Sequence, residues 1–175
     1  FHDARAGRIA YEGSWEHGQR HGRGKMYDER GDLLYEGQFG RGGVYHGMGA
    51  LHVGGAVTYR GEFRDGLRHG GGAEYDAETQ DVRYVGEFTC GTRHGRGTEY
   101  DAETRERSYR GQWNMGHRHG RGEEYFGNGT SMYVGDFREG MWHGQGVRTT
   151  MMGGCYRGEF RDGSEHGMGL LFHPD

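Results

Sequence analysis

Tyr109-Arg110-Gly111-Gln112-Trp113-Asn114-Met115-Gly116-His117-Arg118-His119-Gly120-Arg121-Gly122 is one copy of a phrase that returns along the whole chain. Its skeleton is Tyr-x-Gly-x-(Trp/Phe)-x-x-Gly, followed by His-Gly-x-Gly. The opening tyrosines are Tyr11, Tyr35, Tyr59, Tyr84, Tyr109, Tyr133 and Tyr156, spaced by 24, 24, 25, 25, 24 and 23 residues. A fixed period in this range marks a repeat architecture. Such arrays present extended surfaces and seldom build one deep catalytic pocket.

Within the phrase, Tyr, Gly and the second aromatic fall at i, i+2 and i+4, so they share one face of a β-strand. The glycine between two large rings leaves a slot in which a neighbouring ring can lie against the backbone. The other face carries Glu12 and Ser14, Glu36 and Gln38, Arg60 and Glu62, or Val85 and Glu87. Gly18 and the His21-Gly22 pair suit the positive φ angles of a hairpin turn. Stretches such as Glu74-Tyr75 and Glu99-Tyr100 read as the return strand, and Asp-Ala-Glu-Thr at 76–79 and 101–104, or Gly127-Asn128-Gly129, turns the chain into the next tyrosine. No segment carries a 3.6-residue apolar period, so no helix is expected.

Composition limits the fold further. Hydrophobic residues are 31 % of 175, glycine numbers 39, and there is a single proline. A chain of this kind cannot fill a thick globular core. Four glycines per repeat sit at fixed motif positions, unlike those of a flexible linker, which implies a thin ordered structure whose small core is shared between neighbouring repeats.

The seven copies resemble the membrane occupation and recognition nexus (MORN) repeat family, matching its YxGxW…GxxHGxG pattern over residues 11–173. Repeats one and five carry Trp15 and Trp113, four others carry Phe63, Phe88, Phe137 and Phe160, and repeat two has one extra residue between Gly42 and His46. The resemblance implies an all-β, elongated array of consecutive antiparallel hairpins in one long twisted sheet. Two strands per repeat at ~4.8 Å would make a rod roughly 65–70 Å long. The expected repeats are 11–34, 35–58, 59–83, 84–108, 109–132, 133–155 and 156–175. Residues 1–10 read as the second half of a preceding, truncated repeat, because Phe1-His2-Asp3 resembles Phe172-His173-Pro174; the chain is expected to be a fragment of a longer protein.

Catalytic and metal chemistry find little support. Seven of twelve histidines recur at one motif position (His21, His46, His69, His94, His119, His143, His166), which points to a turn-stabilising imidazole bonded to backbone. A catalytic histidine would need a nucleophile and an orienting carboxylate at one site. A zinc ladder would need a second ligand beside the motif imidazole, as where His117 stands near His119, and that makes no metal motif. Gly22-Arg23-Gly24 and Gly70-Gly71-Gly72 lack the strand–helix setting and the Lys-Ser/Thr of a nucleotide loop. No enzyme activity, cofactor or metal is expected. Cys90 and Cys155 lie nearly three periods apart, beyond disulfide reach in a straight array, which suits a reducing cytoplasmic setting. No run of 18 apolar residues exists.

Net charge is −4, which offers no general attraction for nucleic acid or an anionic membrane. Its distribution is uneven. Arg20, Arg23, Arg68, Arg93, Arg96, Arg118 and Arg121 cluster near the hairpin turns, whereas Glu74, Asp76, Glu99, Asp101, Glu123 and Glu124 fall on return strands and loops. Stacked in register, the array would have one basic and one acidic edge. These are either solvated, laterally paired faces or an edge for an anionic ligand or acidic partner. Lys25 is the one lysine, which favours forked carboxylate or phosphate contacts.

Tyr27, Tyr75, Tyr100 and Tyr125 are candidate partner contacts or core residues. Met151, Met152, Leu170, Leu171 and Phe172 make the last repeats apolar, and with the dimers known in the family they suggest a homodimer through the C-terminal repeats. Relatives organise cytoskeletal collars, radial spokes and motor tails, so the resemblance implies a cytoplasmic, cytoskeleton-associated scaffold with a cytoskeletal or axonemal partner, including a helical segment laid along the aromatic face. The alternative is a phosphoinositide or anionic-membrane binding module using the arginine edge. Regulation of an attached enzyme domain also stays open.

Overall fold

The computed structural model describes residues 2–5, as backbone, and residues 7–174. Phe1, on which the match to Phe172-His173-Pro174 partly rests, lies outside them. The fold is all-β, an open sheet of consecutive antiparallel strands whose spatial order is their chain order. It divides into two compact units, Phe1–Gly91 and Thr92–Asp175.

The first unit holds β1 (His2–Arg5), β2 (Arg8–Glu16), β3 (Gln19–Tyr27), β4 (Leu33–Phe39), β5 (Tyr45–Val53), β6 (Ala56–Arg64), β7 (Leu67–Tyr75) and β8 (Val82–Thr89). The second holds β9 (Thr92–Tyr100), β10 (Arg107–Asn114), β11 (His117–Tyr125), β12 (Ser131–Arg138), β13 (Met141–Thr149), β14 (Cys155–Arg161) and β15 (Ser164–Phe172). Among the described residues the helical content is one 3-10 turn, Arg41–Gly43, which absorbs the extra residue of repeat two.

Within repeats one, three, five, six and seven the hairpin closes on two residues with positive φ, His17-Gly18 and Asp65-Gly66 in the first unit and Met115-Gly116, Glu139-Gly140 and Asp162-Gly163 in the second. Both central residues being left-handed is the type I′ geometry that matches strand twist. The turns are tied to the preceding hairpin: Gly66 N–H donates to Tyr45 C=O, and Gly140 N–H to Arg118 C=O, each at 2.9 Å.

The His-Gly pair is not in the turn, which corrects the sequence reading. Gly111 stands opposite Gly122 while Gln112 stands opposite His119, so Gly120 and Arg121 form a bulge inside β11. Gly120 has φ +60, and Gly22, Gly47, Gly70, Gly95, Gly144 and Gly167 repeat that value within 5°. The turn requires only two residues, so the return strand begins earlier than expected and the second left-handed glycine bends it. The bulge is clamped from across the ladder. Arg121 N–H donates to Gln112 Oε1 at 2.8 Å, Gln145 N–H to Asp136 Oδ2 at 2.9 Å, and Gly71 N–H to Glu62 Oε1 at 3.0 Å. No imidazole of the motif bonds to backbone among the described residues, and the Nδ1 atoms of His94 and His143 accept no hydrogen bond.

The core is one ring deep. Tyr11, Tyr35, Tyr59, Tyr84, Tyr109 and Tyr133 are at most 1 % exposed. The rings of Tyr11, Tyr35, Tyr59, Tyr109 and Tyr133 each lie over the glycines of their own hairpin, not over those of a neighbour: a β-carbon on Gly146 would sit 2.5 Å from Tyr133 Cε2, and one on Gly13 would sit 2.6 Å from the Tyr11 hydroxyl. The rings then interlock edge-to-face along each unit. Tyr109 meets Trp113 at 5.3 Å and Phe137 at 5.0 Å, and Tyr133 meets Phe137 at 5.2 Å and Phe160 at 4.9 Å. Such pairs contribute about 0.5–1.5 kcal/mol each beyond burial. The buried hydroxyls are satisfied by the carbonyl three residues on, as in Tyr109 to Gln112 and Tyr35 to Gln38, both at 2.8 Å.

Candidate interaction faces

The sheet has two faces, one bearing the motif rings and one opposite. The seven expected edge arginines divide between them. Arg20, Arg68, Arg93 and Arg118 precede the motif histidine and lie on the ring face, half-buried; Arg23, Arg96 and Arg121 follow it on the opposite face, exposed.

On the ring face the guanidinium covers the tyrosine. The Arg118 guanidinium carbon is 4.9 Å from the centre of the Tyr109 ring, and that of Arg68 is 5.6 Å from Tyr59. Tyr45 and Trp142 replace arginine in repeats two and six and stack flat instead, 3.9 Å from Tyr35 and 4.6 Å from Tyr133. The carboxylate six residues on pairs with the arginine: Arg68 with Glu74, Arg93 with Glu99 at 2.6 Å and Arg118 with Glu124 at 2.6 Å. Arg118 also reaches back to Glu99 at 2.7 Å, and Trp142 Nε1–H donates to Glu124 at 2.6 Å. The second unit therefore carries a continuous lattice, Arg93–Glu99–Arg118–Glu124–Trp142, above its rings. Burial works against the charge of Arg118, but Glu99 and Glu124 outweigh it and its pKa moves up. Separate basic and acidic edges do not form, because arginines and glutamates interleave on this face. Lateral pairing was one of the two expected readings but its partners were not assigned, although the recurrence of Arg and Glu at a separation of six in three successive repeats was the available signal.

On the opposite face of the first unit, Arg23 joins Lys25 and Arg60 in a cleft of about 680 Å³ whose other walls include Glu12, Glu36 and Met48. Its floor is the glycine column Gly13, Gly24, Gly37 and Gly49. Charges of both signs meet there, with Lys25 Nζ 3.7 Å from Glu36. In the second unit the exposed Arg121 pairs with Asp136 at 2.9 Å.

Tyr27, Tyr75, Tyr100 and Tyr125 are half-buried and occupy the last position of their return strands. Tyr27 O–H donates to Glu12 at 3.4 Å and Tyr125 O–H to Glu123 at 2.7 Å, which puts both on the face opposite the rings. In repeat two that place belongs to His52, which is 9 % exposed. At the C-terminal end Met151 and Met152 lie in the loop before β14, and Leu170, Leu171 and Phe172 on β15; they are 71 %, 83 %, 62 %, 61 % and 50 % exposed. Cys90 and Cys155 are free thiols. No cluster of three or more His, Cys, Asp or Glu is disposed to hold a metal among the described residues. No helix among them is long and apolar enough to cross a membrane.

A protein-family model described as MORN repeat matches six segments, residues 11–33, 59–74, 84–103, 109–131, 133–155 and 156–175. The stretch between the first two, with its expanded turn at Arg41–Gly43, falls outside the match. No curated protein matches the chain.

Proposed function

The chain belongs to the MORN repeat family, whose repeats suggest a protein-interaction or membrane-binding module and are generally non-enzymatic, and on that premise we propose that it is a non-catalytic, cytoskeleton-associated protein-binding scaffold. The observation that carries this reading is the face opposite the rings. Tyr27, Tyr75, Tyr100 and Tyr125 present half-exposed aromatic surface at one register place in four repeats, flanked by charges of both signs. Amphipathic aromatics at an equivalent place within each of these repeats suit a protein partner. The ring face adds a lattice of paired charges, which favours directional contacts over a polybasic field.

The second reading, a phosphoinositide or anionic-membrane module, draws on Arg23, Arg96 and Arg121, which stand exposed at equivalent places in repeats one, four and five. Against it, Arg121 already has a carboxylate partner and the net charge is −4. The test is cross-linked capture of the full chain from its source cells, beside flotation with phosphoinositide vesicles. An Arg23→Glu/Arg96→Glu/Arg121→Glu variant runs in parallel. Cytoskeletal proteins held by wild type, with no vesicle binding, support the scaffold. Vesicle binding that the triple variant loses, with no protein captured, replaces it with the lipid reading.

A further inference from the structure

The cover of the ring face is incomplete in repeat one. Arg68, Arg93 and Arg118 each meet a carboxylate six residues on, but Met26 stands at that place for Arg20. Arg20 Nη1–H donates to Met26 Sδ at 2.9 Å, and the Tyr45 hydroxyl approaches the same sulfur at 3.9 Å. Two good donors thus converge on a thioether, one of the weakest acceptors available to a protein. The guanidinium also lies 5.8 Å from the Tyr11 ring centre and 5.9 Å from that of Phe39, over apolar ground where an unneutralised charge is costly. Among the described residues no carboxylate pairs with Arg20. Leu51, at the corresponding place in repeat two, supplies none either.

We propose that this part of the ring face receives a carboxylate from an acidic segment of a partner protein, held by Arg20 Nη1 and the Tyr45 hydroxyl in place of the Met26 sulfur. The segment supplies from outside what Glu74, Glu99 and Glu124 supply from within in later repeats. The inference rests on the scaffold reading and names the chemistry of its partner. A charge-assisted bond between guanidinium and carboxylate is about twice as strong as a neutral one, and here it replaces a bond to sulfur.

The test uses the full chain and two labelled, end-blocked short peptides, one alternating Glu and Ala and one with Gln for every Glu. Fluorescence anisotropy should give binding of the Glu peptide about tenfold or more tighter than the Gln peptide. Arg20→Gln should abolish the difference. So should Met26→Glu, which fills the site with the protein's own carboxylate and should leave the melting temperature unchanged or higher. Discrimination that survives Met26→Glu and Arg20→Gln overturns the proposal. Asp3 stands opposite Tyr11 in the backbone register, as Glu99 stands opposite Tyr109. Discrimination that emerges only after Asp3→Asn would therefore identify β1 as the occupant and overturn it too. If wild type captures proteins from cells yet does not discriminate between the peptides, this inference falls and the scaffold reading stands. If it discriminates but captures nothing, the carboxylate site stands, and its assignment to a partner protein falls with the scaffold reading.

Discussion

Arg118 and Glu124 lie six residues apart on one strand, yet their side chains meet at 2.6 Å. Six extended residues span roughly 20 Å, beyond the joint reach of an arginine and a glutamate. The bulge between them, Gly120-Arg121, bends β11 so that both ends of the strand close over the Tyr109 ring. The left-handed glycine of the His-Gly pair is thus what lets one short strand cover its own aromatic core. A single-layer sheet obtains buried tyrosines without a second layer.

Removing Arg118 should cost more than a surface ion pair. Its side chain is 21 % exposed and joins two carboxylates and a ring, so Arg118→Met should destabilise the chain by about 1.5–3 kcal/mol, between exposed and fully buried pairs. Adding Glu99→Gln and Glu124→Gln to the variant should recover part of the loss. Urea midpoints for the single and triple variants check this, and simple additivity would contradict a coupled lattice.

Two glycines in one hairpin should respond very differently to alanine. Gly116 has φ +86 with nothing within 4 Å of a β-carbon, so Gly116→Ala should cost about 1–2 kcal/mol of backbone strain. At Gly122 a β-carbon would fall 2.5 Å from Tyr109 Cε2, so Gly122→Ala must evict the ring and should cost about 3 kcal/mol or more. Equilibrium unfolding ranks the two, and near-ultraviolet circular dichroism should change for Gly122→Ala alone.

The buried tyrosines should make stability fall at high pH. Burial pushes the hydroxyls of Tyr59 and Tyr133 up to about 12 and raises those of Tyr35 and Tyr109 as well. A raised tyrosine keeps its proton when folded after the unfolded chain has lost it. The stabilisation is therefore complete below pH 10 and is lost progressively from there to about pH 12. Denaturant midpoints at pH 9 and pH 11 should differ in that direction, and Tyr59→Phe should flatten the fall.

Period, strand faces and the ring–glycine slot were legible because alternation fixes which residues share a face, and Tyr109, Gly111 and Trp113 obey it directly. The owner of the slot was not, because whether a ring folds onto its own hairpin or the next depends on the bend at Gly120. The role of His119 was misread for the same reason: a left-handed glycine suits a turn or a bulge equally, and Met115-Gly116 had already supplied the turn. The Arg–Glu lattice was hidden by the bulge, which brings together residues that an unbroken strand keeps apart.

We propose that the homodimer expected from the sequence forms through the exposed C-terminal hairpin. Leu170, Leu171 and Phe172 on β15 are at least half exposed. Sedimentation equilibrium at tens of micromolar should give a dimer for the chain and a monomer for Leu171→Glu. A wild-type monomer would remove the proposal.

The side chain opposite the bulge should matter although the buried ring bonds only to that residue's carbonyl. Gln112 Oε1 accepts from Arg121 N–H, and Asp136 Oδ2 accepts from Gln145 N–H. In each case the backbone donor belongs to a bulge residue that the strand ladder has left unpaired on that side. Gln112→Ala removes the acceptor without disturbing the aromatic core, and should cost about 1 kcal/mol. The effect should be local as well as global: amide exchange at Arg121 should accelerate more than at Tyr109, whose amide lies in the ladder. Because the bulge at Gly120-Arg121 also carries Arg118 toward Glu124, loosening it should weaken that pair. Gln112→Ala and Arg118→Met should then be less than additive, and strict additivity in the double variant would mean that the clamp and the lattice act independently.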